Sequence, residues 1–473
     1  RRGGVDRPDH SERPARAAGI AGARAPDWEG VLWETIGHLQ ALIRMDTVNP
    51  PGNELGLARY LDDVLRGAGV DVTLLEPAPQ RAAVVARIPG TGSGRPLLLL
   101  AHMDVVGVER DRWTANPFGG ELLDGCVYGR GAIDDKGMLA TNLQTMRLVQ
   151  EHVVRAGGRL ARDLVFVATS DEEAGGMWGI EWLARTHPAL LEAEYALNEG
   201  GRIRLRDGRF HYCAVQCAEK VPNVVQVTAH GPAGHAAIPL PGNAVVRLAR
   251  AVARIGAHAE PVHLTDVSRR FFTGLAAAWD DERQRAAMRD LAHPSPERAA
   301  AAAAVLCEEP NFAAVLRNGI SPTMLAAGVR SNVIPAEASA TMSVRLLPGE
   351  SLDALVARLG SAIADDHVSI TVVDRGADAP ASSAESPMFA AIRDSVAALA
   401  PGLPVVPYLS TGATDSATLR RLGVQAFGLL PFPLALQDEE RMHSHDERVP
   451  VKSLDFALRL MWEMVGRISV ERE

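Results

Sequence analysis

The chain has 473 residues, 47% of them hydrophobic and 23% charged, with a formal net charge of -9. That length exceeds what one core usually serves, so two domains are expected, and the composition is that of an ordinary globular protein. The acidic balance argues against a general nucleic-acid binder, and no apolar run approaches the ~18 residues that cross a bilayer.

In chain order, residues 1–26 are rich in Arg, Gly, Ala and Pro and read as a disordered leader. They hold no apolar stretch resembling a signal-peptide core, so the cytoplasm is the expected compartment. Val31, Leu32, Ile36, Leu39, Leu42 and Ile43 then recur at helical spacing until Asn49-Pro50-Pro51-Gly52 breaks the run. A helix over Leu55–Arg66 follows, then strands at Val70–Leu75, Ala83–Ile88 and Leu97–Leu100. The last is apolar throughout, as in a strand covered on both faces. Gly137–Val154 reads as a helix, Leu164–Thr169 as a buried strand, Met177–Arg185 as a helix and Tyr195–Asn198 as a strand. Such alternation implies an α/β sheet flanked by helices.

Around Glu219 the texture changes. A strand at Val224–His230 leads to a helix that Asn243 can cap, and residues 260–327 look helical and Ala-rich. A strand (Ala338–Leu346), a helix capped by Ser351 and a strand (Val368–Val373) complete the unit, and α/β texture returns up to a final helix at Ser453–Val465. One discontinuous domain, 27–218 with 377–473, is therefore expected to be interrupted by a second at 219–376. The four cysteines, Cys126, Cys213, Cys217 and Cys307, are too few for a disulfide framework and read as core residues or free thiols.

Five segments carry the acidic and imidazole groups, each after a strand or in a loop. His102 and Asp104 end an apolar run and, two apart, point to the same side, so the carboxylate can receive the free N–H of a metal-bound imidazole. Two polar residues ending a buried strand is the plainer alternative. Asp134 and Asp135 open a helix; one can serve as its cap, whereas adjacent carboxylates otherwise need a cation. Asp171, Glu172 and Glu173 follow a strand. They suit either a solvated turn or a hydrolytic pair in which one Glu binds metal and its neighbour acts as base. Glu199 follows the strand at 195–198, and His443 and His445 share the last segment. Together these supply the N/O donor set suited to zinc, cobalt or manganese. Neither a GxSxG elbow nor a P-loop lysine motif is present.

Eight ordered blocks resemble the co-catalytic zinc peptidase family of carboxypeptidase G, carboxypeptidase S, aminoacylase and succinyl-diaminopimelate desuccinylase. They are LLLLAHMDVV (97–106), WTANPFGGELLDGCVYGRGAIDDKG (113–137), TSDEEAGG (169–176), LNEGG (197–201), GPAGHAAIP (231–239), SNVIPAEASATMSVRLLPG (331–349), STGATDS (410–416) and HSHDERV (443–449). The LNEGG spelling and the 260–327 insertion look closest to the carboxypeptidase S and N-acyl-amino-acid hydrolase branch.

The resemblance implies an α/β catalytic domain with a mixed sheet, interrupted by an α+β, ferredoxin-like lid and dimerisation domain with a helical insertion. It implies two Zn2+, with Co2+ or Mn2+ as substitutes, held by His102, Asp134, Glu173, Glu199 and His443. Asp134 is the implied bridge, followed by a cis peptide, and Asp135 is non-ligating. Asp104 supports His102, Glu172 is the general base, and His443 is preferred over His445. His235 is the implied oxyanion donor, and Arg345 with Asn332 the implied holders of a substrate carboxylate, which suits a guanidinium fork. Gly412 and Thr414 are the implied lining of that pocket; Ala417 stands where many members carry Arg. The implied activity is hydrolysis of a small peptide or N-acyl amino acid with a free carboxylate, of carboxypeptidase or dipeptidase type. An N-acyl-amino-acid amidohydrolase is the alternative, and a non-catalytic peptide binder a remote one. A homodimer through the lid is the implied assembly, though the insertion counts against the usual lid-to-lid contact.

Overall fold

A computed structural model describes residues 25–470; the expected leader falls almost wholly outside them. The described chain forms two compact units. The first runs to Cys213 and resumes at Glu385–Val405 and from Leu429; the second comprises Ala214–Ala384 and Val406–Gly428.

In the first unit, strands β1 (Asp71–Leu75), β2 (Ala83–Ile88), β3 (Leu97–His102), β4 (Leu164–Thr169) and β5 (Tyr195–Asn198) lie in the order β1-β2-β4-β3-β5. β1 and β2 run antiparallel to their neighbours, whereas β4, β3 and β5 are mutually parallel, so the sheet is mixed. Every residue of β3 and β4 is buried, which is why both read as apolar runs up to their last residues, His102 and Thr169. Helices α1 (Trp28–Arg44), α2 (Leu55–Gly67) and α3 (Lys136–Val149) pack around this core, with α3 against β3 and β4. His102 of β3 pairs in register with Thr169 of β4, which places the carboxyl ends of the parallel strands at one edge. That edge is where open α/β sheets gather ligand-binding residues.

The second unit holds a four-stranded antiparallel sheet of β6 (Val221–His230), β7 (Gly319–Ala327), β8 (Glu337–Leu346) and β9 (Val368–Arg375), ordered β7-β8-β6-β9. Helices α4 (Ala244–Ala257) and α5 (Leu352–Ile363) cover one face, burying Val225, Val227, Leu248, Ile255, Met342, Val344, Leu355 and Leu359. Asn243 caps α4 through the backbone N–H of Val245, and Ser351 caps α5 through that of Ala354. Because residues alternate across a strand, Ser343 and Arg345 of β8 point to the face opposite the helices.

Residues 260–327 are not helical throughout. Helices span Asp266–Leu275, Glu282–Asp290, Pro296–Leu306 and Pro310–Leu316, and the remainder is strand β7. β7 is an edge strand with most residues exposed, so it lacks the in–out alternation that marks a strand, and its pairing with β8 decides its state. The strands Arg202–Arg206 and Arg209–Glu219 form a hairpin around Asp207-Gly208, both at positive φ, and a DG pair is the signal that predicts such a turn. Among the described residues, no helix is long and apolar enough to cross a membrane.

Candidate metal centre

The first unit brings His102, Asp104, Asp134, Glu172, Glu173, Glu199 and His443 together. His102 is the last residue of β3, Glu172 and Glu173 form a short turn after β4, and Glu199 follows β5. Asp134 precedes α3 across a cis peptide to Asp135, and His443 sits in a left-handed backbone conformation in the loop before α6 (Val451–Ser469).

Asp134 stands between the imidazoles. His102 Nε2 lies 3.0 Å from its Oδ1, and His443 Nε2 lies 3.0 Å from its Oδ2. Glu173 Oε1 is 3.3 Å from His443 Nε2 and Glu172 Oε2 is 4.0 Å from His102 Nε2. His102, Asp134 and Glu173 offer ligand atoms within 4.8 Å of one another, and so do His102, Glu172 and Glu199. Distance alone therefore leaves both Glu172 and Glu173 within reach of a cation. Among the described residues, the His445 ring has one hydrogen-bond contact, Nδ1 to Ser444 Oγ at 3.4 Å.

Asp104 does more than support His102. The His102 Nδ1 atom is nearest the backbone carbonyl of Asp104, at 3.0 Å, with the carboxylate at 3.5 Å. That carboxylate accepts the backbone N–H groups of Glu172 (3.0 Å) and Glu173 (3.1 Å) and the side-chain amide of Asn49 (2.8 Å). It thus sets the turn that aims both glutamates. Asp135 Oδ2 accepts the backbone N–H of His102 at 3.2 Å, and its Oδ1 is buried without a hydrogen-bond partner.

The electrostatics favour cations here. Burial pushes Glu199 up to about 8, with the Asp134 charge adding to the effect, and burial likewise holds Asp135 well above the usual carboxylate range. Burial opposes ionisation of Asp134 too, but the hydrogen bonds from His102 and His443 outweigh it and keep the carboxyl far below its ordinary value. Asp134 and Glu173 raise His443 to about 10. Glu173 Oε1 is buried without a hydrogen-bond partner of good geometry. Clustered carboxylates that hold nearby imidazoles protonated are neutralised equally well by metal cations, and the donors are the N/O set such ions take.

Residues with no metal-ligand signal in the sequence lock this centre. Glu447 is buried; its carboxylate accepts Arg130 Nη1 at 2.7 Å and the backbone N–H groups of Gly131 (3.0 Å), Ile133 (2.8 Å) and Asp134 (3.0 Å). Asp446 accepts the backbone N–H and hydroxyl of Thr114 at 2.8 and 2.9 Å. The signal was an Asp-Glu pair three residues beyond His443 together with an arginine inside the GRG run.

The remaining expected site residues lie in the second unit. His235 pairs with Val333 in a short ladder beside Asn332, whose carbonyl accepts the Ala236 N–H at 3.1 Å. His235 Nδ1 accepts the Ala237 N–H at 3.1 Å, so the neutral ring carries its proton on Nε2, free to donate. Gly412 and Thr414 follow the strand Val405–Ser410, and Glu219 holds Thr414 through its N–H (3.1 Å) and hydroxyl (2.9 Å).

A family model described as peptidase family M20/M25/M40 matches residues 98–467. The N-fatty-acyl-amino acid synthase/hydrolase PM20D1 of Xenopus tropicalis is 26% identical over 378 residues, covering 78% of this chain and 72% of that protein. A probable carboxypeptidase S-like 2 of Dictyostelium discoideum is 28% identical over 368 residues, 76% of this chain and 69% of the relative. Among solved structures, the M20 family metallo-carboxypeptidase Sso-CP2 from Sulfolobus solfataricus has the same fold, with a TM-score of 0.68 at 17% identity over 92% of this chain and 99% of that one.

Proposed function

The chain belongs to peptidase family M20/M25/M40 and is a metal-dependent hydrolase of C–N bonds, and we propose that it cleaves small peptides bearing a free carboxylate at a two-zinc centre. The observation that supports this is Asp134, whose two oxygens each meet a different imidazole at 3.0 Å, the arrangement of a carboxylate shared by two cations. His102, Asp134 and Glu199 would hold one ion; His443, Asp134 and Glu173 the other. Zinc fits the mixed imidazole and carboxylate donors, with cobalt or manganese as substitutes. When bound, two such ions make a water acidic near neutral pH and polarise the scissile carbonyl.

This chain's residues supply the rest. Glu173 is assigned as ligand because it meets His443, which leaves Glu172 on the same turn as the general base. Glu172 takes the proton of the attacking water at its carboxylate and passes it to the leaving amine. Asp104 fixes the turn and therefore the direction of both glutamates. His235 donates Nε2–H to the developing oxyanion, and Arg345 with Asn332 receives the substrate's carboxylate. A second reading, N-acyl-amino-acid hydrolysis, draws support from the fatty-acyl-amino-acid hydrolase among the relatives.

The assembly proposed is a homodimer through the second unit, where edge strand β7 and its turn expose Met324, Leu325 and Val329. Metal-loaded protein assayed on dipeptides, N-acetyl and N-fatty-acyl amino acids, with and without chelator, tests the activity. Chelator-sensitive release of amine from dipeptides supports the first reading and release confined to acyl amino acids the second; no turnover of either class refutes both.

A further inference from the structure

Two cations of the second unit share a place without an acid. Lys220, between the strand Arg209–Glu219 and β6, is 1% exposed, and its Nζ has one acceptor, the Arg317 carbonyl at 2.5 Å. An ammonium offers three donors. Arg345 stands opposite Pro222 of β6 and Gly319 of β7, and it has no hydrogen-bond or ion-pair partner among the described residues. A side chain at Gly319 would meet Arg345 Cβ at 3.6 Å and Lys220 Nζ at 3.7 Å, so the Lys220 ammonium and the root of the Arg345 side chain flank one gap, and the Arg345 charge acts on Lys220.

Among the described residues, three buried arginines are each paired with an acid, and buried Lys136, which meets only the Leu42 and Met45 carbonyls, still has the charges of Asp46 and Glu447 to favour its ammonium. Arg81 pairs with Glu54, Arg130 with Glu447 and Arg420 with Glu219. For Lys220, burial and the neighbouring Arg345 charge both work against the ammonium, moving it down to about 8, with no carboxylate opposing them. Like charges set side by side in a dry place are costly, and an anion between them removes the cost.

The same dipeptide builds the adjoining loop. Glu219 holds Thr414, Arg420 braces Glu219 at 3.3 Å, and the Lys220 N–H donates to the Ser410 carbonyl at 2.9 Å. Gly412 N–H in turn donates to Ser410 Oγ at 3.2 Å. Arg345, the 410–414 loop and Lys220 therefore share one frame.

We propose that Lys220 is the second cation of the anion seat that Arg345 opens, and that it selects substrates ending in a free carboxylate over their amides. This rests on the hydrolase reading above. The competing role is a tether for the Arg317 carbonyl, indifferent to the charge of the substrate.

The test compares metal-loaded wild type, Lys220→Met and Lys220→Arg, each checked for folding by circular dichroism, on N-acetylmethionine and N-acetylmethioninamide. Lys220→Met is expected to raise KM for the acid about tenfold, leave kcat within about threefold and leave the amide unchanged, as loss of one charged contact implies. Lys220→Arg is expected to keep the wild-type KM. An unchanged KM in Lys220→Met, an equal rise for acid and amide, or a loss in Lys220→Arg as large as in Lys220→Met overturns the proposal. Calorimetric titration with methionine and methioninamide gives the same comparison without turnover. If the wild type hydrolyses neither substrate, the acyl-amino-acid reading fails while the peptide reading stands, and the calorimetry alone decides Lys220: affinity for the acid must fall in Lys220→Met, and equal affinity refutes it.

Discussion

Replacing Glu447 by Ala should both destabilise the protein and empty its metal centre. The Glu447 and Arg130 side chains are 1% and 3% exposed and meet at 2.7 Å, so the substitution strands a buried guanidinium. Breaking such a pair costs about 3–5 kcal/mol. The same carboxylate also accepts the N–H groups of Gly131, Ile133 and Asp134. Each orphaned donor costs about 1–3 kcal/mol, less what entering water restores, so the net loss should be about 4–6 kcal/mol. Glu447→Gln keeps the shape but turns an NH2 toward donors, and about half that loss is expected. Because Asp134 N–H is one of the donors, the carboxylate between the imidazoles loses its anchor as well. Urea denaturation and metal content per chain by mass spectrometry are the measurements. A loss below about 1 kcal/mol with undiminished metal would show that the 443–448 loop does not hold Asp134 in place.

Other outcomes follow from the same geometry. Glu172→Gln should keep its metal and lose about 10²–10⁴ in kcat, whereas Glu173→Ala and His443→Ala should lose metal; a Glu172→Gln enzyme of near-normal turnover would remove the base assignment. Burial opposes the Glu260 charge, but hydrogen bonds from Arg358, Asn318 and His258 outweigh it and bring it to about 2 from an ordinary 4.5. Its folded value is depressed, so the stability it contributes is present above about pH 4.5 and is lost as pH falls toward 2. Between those limits, urea midpoints of wild type should fall more steeply than those of Glu260→Gln; parallel curves would contradict the pairing. Charges placed on β7, as in Met324→Glu with Leu325→Glu, should convert a dimer to monomers by light scattering, and an unchanged mass would place the interface elsewhere.

The sequence by itself determined the elements whose pattern is local. β3 and β4 read as strands because every residue before their last, His102 and Thr169, is apolar, and α4 and α5 announced their starts through the caps Asn243 and Ser351. It also supplied the ordered blocks that name the family, since chemistry restricts which residue types can stand after each strand. β7 was not legible: an exposed edge strand of Ala, Met and Leu has no periodicity, and only pairing with β8 makes it a strand.

At the centre, sequence ranked Asp134 over Asp135 and His443 over His445 by resemblance alone. In the fold, Asp134 lies between two rings while Asp135 turns back to the His102 backbone, and no short-range pattern in the sequence carries that difference. Glu447 and Lys220 were invisible as functional candidates. Each matters through what surrounds it, four donors for one and a missing counter-charge for the other, and such partners come from segments far apart in the chain. Residue type and order are written locally; which charges end up buried together, paired or unpaired, is decided only when the chain closes.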